Sequence, residues 1–491
     1  MFSKNPSHIH KRGQSLVFIA LGMAVFLGFV ALAIDGGHIL SVRRRARAAA
    51  DEAALAAANA WARDNSNWQT AALNVAKNDG FDNDADNVEV DVQQLDSATC
   101  QELTSDTASA QCSCFQVSLK AQTTAIFAQF IGQDTSTTGA TAISHACKEV
   151  PLEDGYAIRS RDDLKVKNGG GAMAWGRVRS DSNIIRTEMG HLWSFQGFPF
   201  PFGGEITAGE SIECNGGFMF CNPMMNMMAI GPQVPIMGAA VYENTPRPPM
   251  TALANLPKPE ACNTVAQPIS CSEITGVDAM EAEMAAMMSD FMNAASGMPN
   301  ISNFSGFTGS DSASEMFNSF QGVMEGMFND FREGTDEACK VYPPGQYNTA
   351  IRVNDGEAAI FLPGAHCFAQ DVTIDGHAMG LNQTFYFENG SSITLGNRST
   401  VALDAGTPPF DWGGMLFYNP GHVTISTESG SMLVGSIYAP NGNCDLNGGG
   451  MMMGWSQLLC NQITIRGGFQ VMIAFDADHV YHVPARVDLV K

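Results

Sequence analysis

Residues 16–34 read LVFIALGMAVFLGFVALAI, nineteen consecutive positions without a charged side chain. Wound as a helix at about 1.5 Å per residue, such a run nearly matches a hydrocarbon core roughly 30 Å thick. A cleaved secretory signal would carry an apolar stretch of only about 7 to 15 residues, ending at a small-residue cleavage site. Here Asp35, Gly36, Gly37 and His38 follow instead, and a helical pattern continues beyond them. The segment is therefore read as a retained transmembrane helix in contact with membrane lipid.

Working outward, residues 1–15 form a short leader with Lys4, Lys11 and Arg12, while Arg43, Arg44, Arg45 and Arg47 lie on the other side of the span. Counting positive charge alone leaves the orientation balanced. The cysteines break the tie. All twelve lie after residue 99, from Cys100 to Cys460, and only Cys112 and Cys114 are closer than five residues, with no histidine beside them. Metal sites ask for tighter pairs or nearby histidines, so disulfides and an oxidising compartment are expected. Pairings such as Cys100 with Cys112 or Cys114, and Cys214 with Cys221, would close short loops, the connectivity being open. The N-terminus is thus placed in the cytoplasm and the C-terminal domain in the periplasm or outside the cell.

At 491 residues the chain is too long for one hydrophobic core, and two or more folded units are expected. Residues 1–50 hold seven of the 27 Lys/Arg and one of the 50 Asp/Glu, so the remainder carries about −29. A surface of that sign repels phosphate backbones, which excludes nucleic acid as a partner of the main body.

Residues 35–62 continue as an Ala-rich helix, free of Gly and Pro from Ser41 onward, with small residues on nearly every face. Small faces suit either close approach to a neighbouring helix or a stiff spacer. Together, Lys11-Arg12-Gly13-Gln14-Ser15, the apolar span, Ile34-Asp35-Gly36-Gly37, the Arg cluster and Ala50-Asp51-Glu52-Ala53-Ala54-Leu55-Ala56-Ala57-Ala58 resemble the N-terminal domain of TadG-like (TadE/TadG) proteins of Flp, or Tad, type IVb pilus assembly. The resemblance implies a partner among the pilus machinery. It covers residues 11–62 and extends loosely to 150, where strands at 88–92, 115–119 and 140–144 and a helical piece at 126–131 make residues 63–150 a small α+β, pilin-like domain. Related pseudopilins carry Glu five residues after the leader glycine, where this chain has Phe18, so a permanent anchor is expected rather than a processed filament subunit.

Residues 151–491 are read as a mainly β domain. From about residue 340, β-branched runs alternate with Gly, Asn and Asp at a spacing often near 10 residues: 359–362, 372–374, 384–387, 392–395, 400–403, 415–418, 423–425, 433–438, 462–465 and 471–474. A sandwich and a parallel β-helix both fit that spacing. Asn382, Asn389, Asn397, Asn419, Asn441 and Asn461 beside the turns, with Gly435-Ser436-Ile437-Tyr438-Ala439-Pro440-Asn441, resemble β-helical, adhesin-like bacterial surface domains and favour the β-helix. A Pro-rich connector at 246–268 and a helical block at 273–333 are read as an insertion at about 246–335.

No G-x-S-x-G, H-E-x-x-H or G-x-x-x-x-G-K-[ST] occurs, so no catalytic, cofactor-binding or metal-binding residue is assigned. The acidic turns Asp371, Asp375, Asp404 and Asp411 are read as solvated. The loop from Asp82 to Asn87 has Asn at the glycine position of a calcium loop and Gln93 where a bidentate Glu belongs. Near-matches to the D-x-S-x-S adhesion motif begin at Asp134 and Asp311, the first lacking the expected following helix and the second having Ala313 where Ser is needed. Met224, Met225, Met227, Met228 and Met451 to Met453 could offer thioethers to copper, though methionine more often fills cores. The expectation is a non-enzymatic, anchored component of pilus assembly or adhesion; an exported polysaccharide-acting enzyme is the first alternative and a metal-handling envelope protein the second.

Overall fold

In the computed structural model the chain divides into two compact units, Met1–Val150 with Pro484–Lys491, and Pro151–Val483. The structure describes residues 14–63, 66–104, 112–127, 129, 135–187, 190–195, 205–215, 236–237, 240–242, 258–271, 282, 286, 339–406, 412–426, 430–448 and 451–490.

The first unit is built on one 49-residue helix, α1, Gln14–Ala62. Sequence reading divides it at residue 35, yet it passes through Gly36 and Gly37 unbroken. Two glycines cost such a helix about 1 kcal/mol each, which long Ala- and Leu-rich flanks outweigh. From Phe18 to Ile34 its large apolar side chains are exposed, with Phe18 at 73% and Leu32 at 73%. Its second half is not: Val42, Ala46, Ala49, Ala50, Ala53, Ala54, Ala57 and Ala58 are buried at spacings of three and four, the stripe of a helix packed on one side.

What it packs against is an antiparallel sheet. Strands β1 (Val88–Gln94), β2 (Cys112–Thr124) and β3 (Thr135–Cys147) lie in that order, and Arg486–Val490 pairs antiparallel with β3. The C-terminal strand was expected to belong to the β-rich region; Val487, which packs against the core of the first unit, explains its place there. A second helix, α2 (Trp68–Asn78), buries Ala72 and Ala76. Trp61 and Trp68 close on Phe115, with centroids 5.7 and 5.0 Å away. The short α3 (Ser97–Thr104) starts where the Asp96 carboxylate accepts the Thr99 amide at 3.0 Å, satisfying an otherwise orphaned helix donor.

The second unit is mostly strand. Cys339–Tyr342, Gly345–Tyr347 and Ile351–Val353 pair in parallel with Ala358–Phe361, Gly364–Phe368 and Val372–Ile374, each strand three places on. The same step repeats to His377–Gly380, Gln383–Phe387 and Ile393–Leu395, and then to Thr400–Asp404, Met415–Tyr418 and His422–Ile425. The long strands Gly430–Leu446 and Met451–Ile465 each supply three successive segments. The large sheet of this unit is mixed, because Ile269–Ser270 runs antiparallel to Cys339–Tyr342.

The pairing does not follow chain order throughout. Met451–Ile465 pairs in parallel with Tyr156–Ser160 and Leu164–Val166, and Gln470–Ala474 with Gly171–Trp175. From there Arg177–Ser180 and Asn183–Thr187 continue the series. The run that begins near residue 156 therefore stacks on the end of the run that begins at Cys339.

Inward side chains align from strand to strand. Val372 and Ile374 stand over Ile393 and Leu395, then Val423 and Ile425, with the threonine between them facing out each time. Phe361, Phe368, Phe385, Phe387 and Phe417 fill the same core. Asn382, Asn389 and Asn419 occupy the left-handed region at φ of 57°, 54° and 56°, which explains asparagine at those turns. At Gly435 (φ 117°) a Cβ would meet Ala405 Cβ at 2.6 Å.

The expected helical insertion lies outside the described residues, apart from Ala282 and Ala286, both helical. Of the Pro-rich connector, residues 258–268 are described; Glu260–Asn263 is a single 3-10 turn, tied down by Cys262–Cys367, and Cys271–Cys339 follows. These two disulfides hold residues 258–271 against the first strands of the run, where an edge would otherwise stand unpaired.

Candidate functional site

The described residues that carry the pilus-assembly resemblance lie along α1 in the first unit. Asp35 is the first charge after the apolar run of α1, and only 7% of it is exposed. Its Oδ1 accepts the Ile126 amide at 2.9 Å and its Oδ2 the Phe127 amide at 3.0 Å. A carboxylate accepting two amides is well satisfied away from water, which gives the Asp-Gly motif a structural role as a clamp on the loop after β2. Ile126 and Phe127 form a bend whose amides bond to Asp35; of the helical piece expected at 126–131, Gln129 is in a 3-10 turn, and residues 128, 130 and 131 lie outside the described residues. Arg43, Arg44, Arg45 and Arg47 project into solvent from the next turns of α1. Farther on, the small Ala face lets β3 come close enough for Ser144 Oγ to donate to the Ala54 carbonyl at 2.7 Å. Of the two readings of that face, it is the buried one that holds, against a sheet and α2.

Disulfides join Cys100 to Cys114 and Cys112 to Cys147 in this unit, and Cys262 to Cys367, Cys271 to Cys339 and Cys444 to Cys460 in the other. Cys221, expected to pair with Cys214, lies outside the described residues. The structure also gathers Cys112, His145 and Cys147, which spacing alone could not reveal because β2 and β3 bring them together. His145 Nε2 lies 3.6 Å from Cys147 Sγ. Bonded to each other, the two sulfurs are not thiolates, and metal affinity requires the thiolate.

The remaining sequence candidates disperse. In the Asp82–Asn87 loop, Lys77 Nζ reaches Asp82 at 2.9 Å and Asp84 at 3.6 Å, and hydrogen bonding to Lys77 lowers the Asp82 pKa. Asn83 Oδ1 accepts the Val90 amide at 2.7 Å. Asp371 accepts the Ser392 amide at 2.8 Å, and Asp375 follows the strand Val372–Ile374. Burial pushes Asp404 up despite the Gly406 amide at 3.0 Å. Asp134, Asp311, Asp411 and Met224 to Met228 lie outside the described residues, and Met452 is fully buried in the core.

Sequence reasoning missed a buried ionic cluster. Arg159 and Arg179, facing each other in register across paired strands, are 3% and 1% exposed. Asp181 accepts from Arg159 Nη2 at 2.9 Å and Arg179 Nε at 2.7 Å, and Arg159 also pairs with Glu153. Burial alone would lower the Arg159 pKa; the two carboxylates overcome it. Sequence offered no signal for the Arg159–Asp181 pair, whose members lie 22 positions apart. A column of aromatics was also missed: Tyr386 stacks on Tyr418 at 5.1 Å and Tyr418 on Tyr438 at 6.1 Å, with Trp412 edge-on to the first two. Tyr418 and Tyr438 are buried beside Leu152, Met415 and Tyr481, so the column is a second small core.

Residues 13–60 match the family described as "Putative Flp pilus-assembly TadE/G-like". No curated protein matches the chain. Among solved structures, the competence-associated pilin ComZ from Thermus thermophilus aligns at 9% identity over 82% of this chain and 84% of that one, with a TM-score of 0.21.

Proposed function

We propose that this chain, whose residues 13–60 form a TadE/G-like Flp pilus-assembly domain, is a membrane-anchored, non-enzymatic component of that assembly which displays a β-rich body outside the cytoplasm. One observation carries the reading. The matched residues coincide with a single helix whose first part exposes apolar side chains from Phe18 to Ile34 and whose second part is buried in a folded unit. It is long and apolar enough to cross a membrane by length and composition. An apolar face left uncovered over that length needs lipid around it.

The outer body supports display rather than turnover. Its strands step in parallel, three places at a time, and we read the stack as a parallel β-helix whose length offers a surface for pilus partners or an external ligand. The carboxylates Asp371 and Asp404 accept amides of nearby turns, a structural use. The disulfides fit an oxidising compartment, and hence an N-terminus in the cytoplasm.

Protease shaving of intact cells, with spheroplasts in parallel and peptide mapping through residue 13, tests the topology. Release of peptides from 51–491 with the leader intact is expected. Protection of that body even in spheroplasts would overturn the reading. Deletion of the chain should abolish surface pili, and restoration by a version lacking residues 16–34 would refute the anchored role.

A further inference from the structure

We propose that Ile126 and Phe127 enter the interfacial layer of the lipid bilayer, held at that depth by Asp35. The inference rests on the reading of residues 16–34 as a membrane span. Asp35 follows Ile34, so at about 1.5 Å of rise per residue its carboxylate marks the end of the apolar run. The loop between β2 and β3 is fastened there by amides rather than by side chains: Ile126 N at 2.9 Å and Phe127 N at 3.0 Å. Backbone clamping leaves both side chains free to face outward. They are 49% and 39% exposed, two large apolar groups in succession. Gln129 Nε2 donates to the Ile126 carbonyl at 2.8 Å, shaping the bend from the other side.

Lipid is the occupant that this placement fits. Large apolar side chains are exposed along α1 from Phe18 to Ile34, and Asp35, the next residue, holds the amides of Ile126 and Phe127 at that end of the run. Aromatic and aliphatic side chains gather at this depth in membrane proteins, where ring and headgroup meet. The exposed Arg43, Arg44, Arg45 and Arg47 follow within three turns or so of the helix, beyond the apolar run. A side chain on the loop, together with the helix, gives the folded unit two points of membrane contact and so fixes its tilt.

The test uses the full chain in vesicles of phosphatidylcholine and phosphatidylglycerol, with and without brominated acyl chains. Phe127→Trp and, as a reference within the span, Phe26→Trp are each compared with the parent by difference fluorescence. Both added tryptophans should lose roughly half their emission in brominated vesicles, the one at 127 most strongly with bromines near the headgroups. Adding Asp35→Ala should weaken quenching at 127 about twofold and leave 26 unchanged, since only the clamp is lost. Quenching at 26 with none at 127, where acrylamide in water quenches instead, would overturn the proposal while the span stands. Shielding of 127 from both bromine and acrylamide would also overturn it, in favour of protein contact. Absence of quenching at both positions would remove the span, and the proposal with it.

Discussion

The side-chain amide of Gln457 donates to the Tyr156 carbonyl at 3.0 Å, joining residues 301 positions apart. The same amide reaches the Leu152 carbonyl at 2.9 Å, and Gln457 Oε1 accepts from Ser436 Oγ at 2.9 Å. Ser436 Oγ in turn accepts the Tyr481 amide at 3.0 Å. One buried glutamine thus ties the first residues of the β-rich unit to its last, at the junction where Leu458 stands opposite Ile158.

Gln457→Leu keeps the bulk and removes the hydrogen bonds to the Leu152 and Tyr156 carbonyls and from the Ser436 hydroxyl, each worth about 0.5 to 1.5 kcal/mol. The variant should be roughly 2 to 4 kcal/mol less stable in guanidinium unfolding, with the slope unchanged. Gln462→Leu, on the neighbouring segment of the same strand, provides the comparison. Equal midpoints for the two variants would mean that the network contributes nothing.

His366 predicts a pH dependence. It is fully buried, its Nε2 donates to the Leu362 carbonyl at 2.8 Å, and burial pulls its pKa down from 6.5 to about 4. Between those values the unfolded chain binds a proton that the native state refuses, so stability falls as the pH drops. The loss from this one group approaches about 3 kcal/mol at pH near 4 and is absent above about pH 7. Urea unfolding of the parent and His366→Gln across that range should converge as the solution is acidified. Parallel curves would show that His366 does not carry the effect.

How much of this was legible in the sequence depends on distance along the chain. The strands at 372–374, 392–395 and 423–425 are legible because apolar, threonine and apolar residues alternate between turns, and alternation is local. The triplets Val372-Thr373-Ile374, Ile393-Thr394-Leu395 and Val423-Thr424-Ile425 even mark one face. Strands such as Gly364–Phe368 and His377–Gly380 were passed over, because Gly, His and Ala in their sequence hide inward positions. The stacking of residues 156–175 on residues 451–474 could not be read at all, since register across three hundred residues is set by packing. Asp35 was noticed as a motif, while its partners at 126 and 127 emerge only once the loop after β2 folds back.

Exposure orders the disulfides. Cys112 and Cys147 are both half-buried at a directly opposed position of β2 and β3, whereas Cys444 and Cys460 are 1% and 0% exposed inside the β-rich core. Under a mild reductant without denaturant, alkylation should mark Cys112 and Cys147 first and Cys444 and Cys460 last. Serine at both Cys262 and Cys367, whose bridge spans 105 positions, should cost about 2 to 4 kcal/mol. Simultaneous labelling of all sites would mean that reduction proceeds through global unfolding.

Ala54 decides whether the long helix can dock at all. Its side chain is fully buried between α1 and the sheet, and its carbonyl accepts from Ser144 Oγ at 2.7 Å. A larger side chain there must push β3 away, breaking that bond and the contacts of Ala50, Ala53, Ala57 and Ala58 along the same stripe. Ala54→Leu should therefore lower the stability of the first unit by about 1 to 3 kcal/mol or more, while Ala54→Gly, which keeps the gap, should cost only about 1 kcal/mol through helix propensity. Ser144→Ala, which removes the hydrogen bond alone, should cost about 1 kcal/mol. Hydrogen exchange at β3 amides separates the cases. Leu at 54 should open β3 and leave the amides of Val372–Ile374 protected, because the two units have separate cores. Loss of protection in both units together would show that they unfold as one, and protection unchanged in β3 would show that the small face is not what seats the helix.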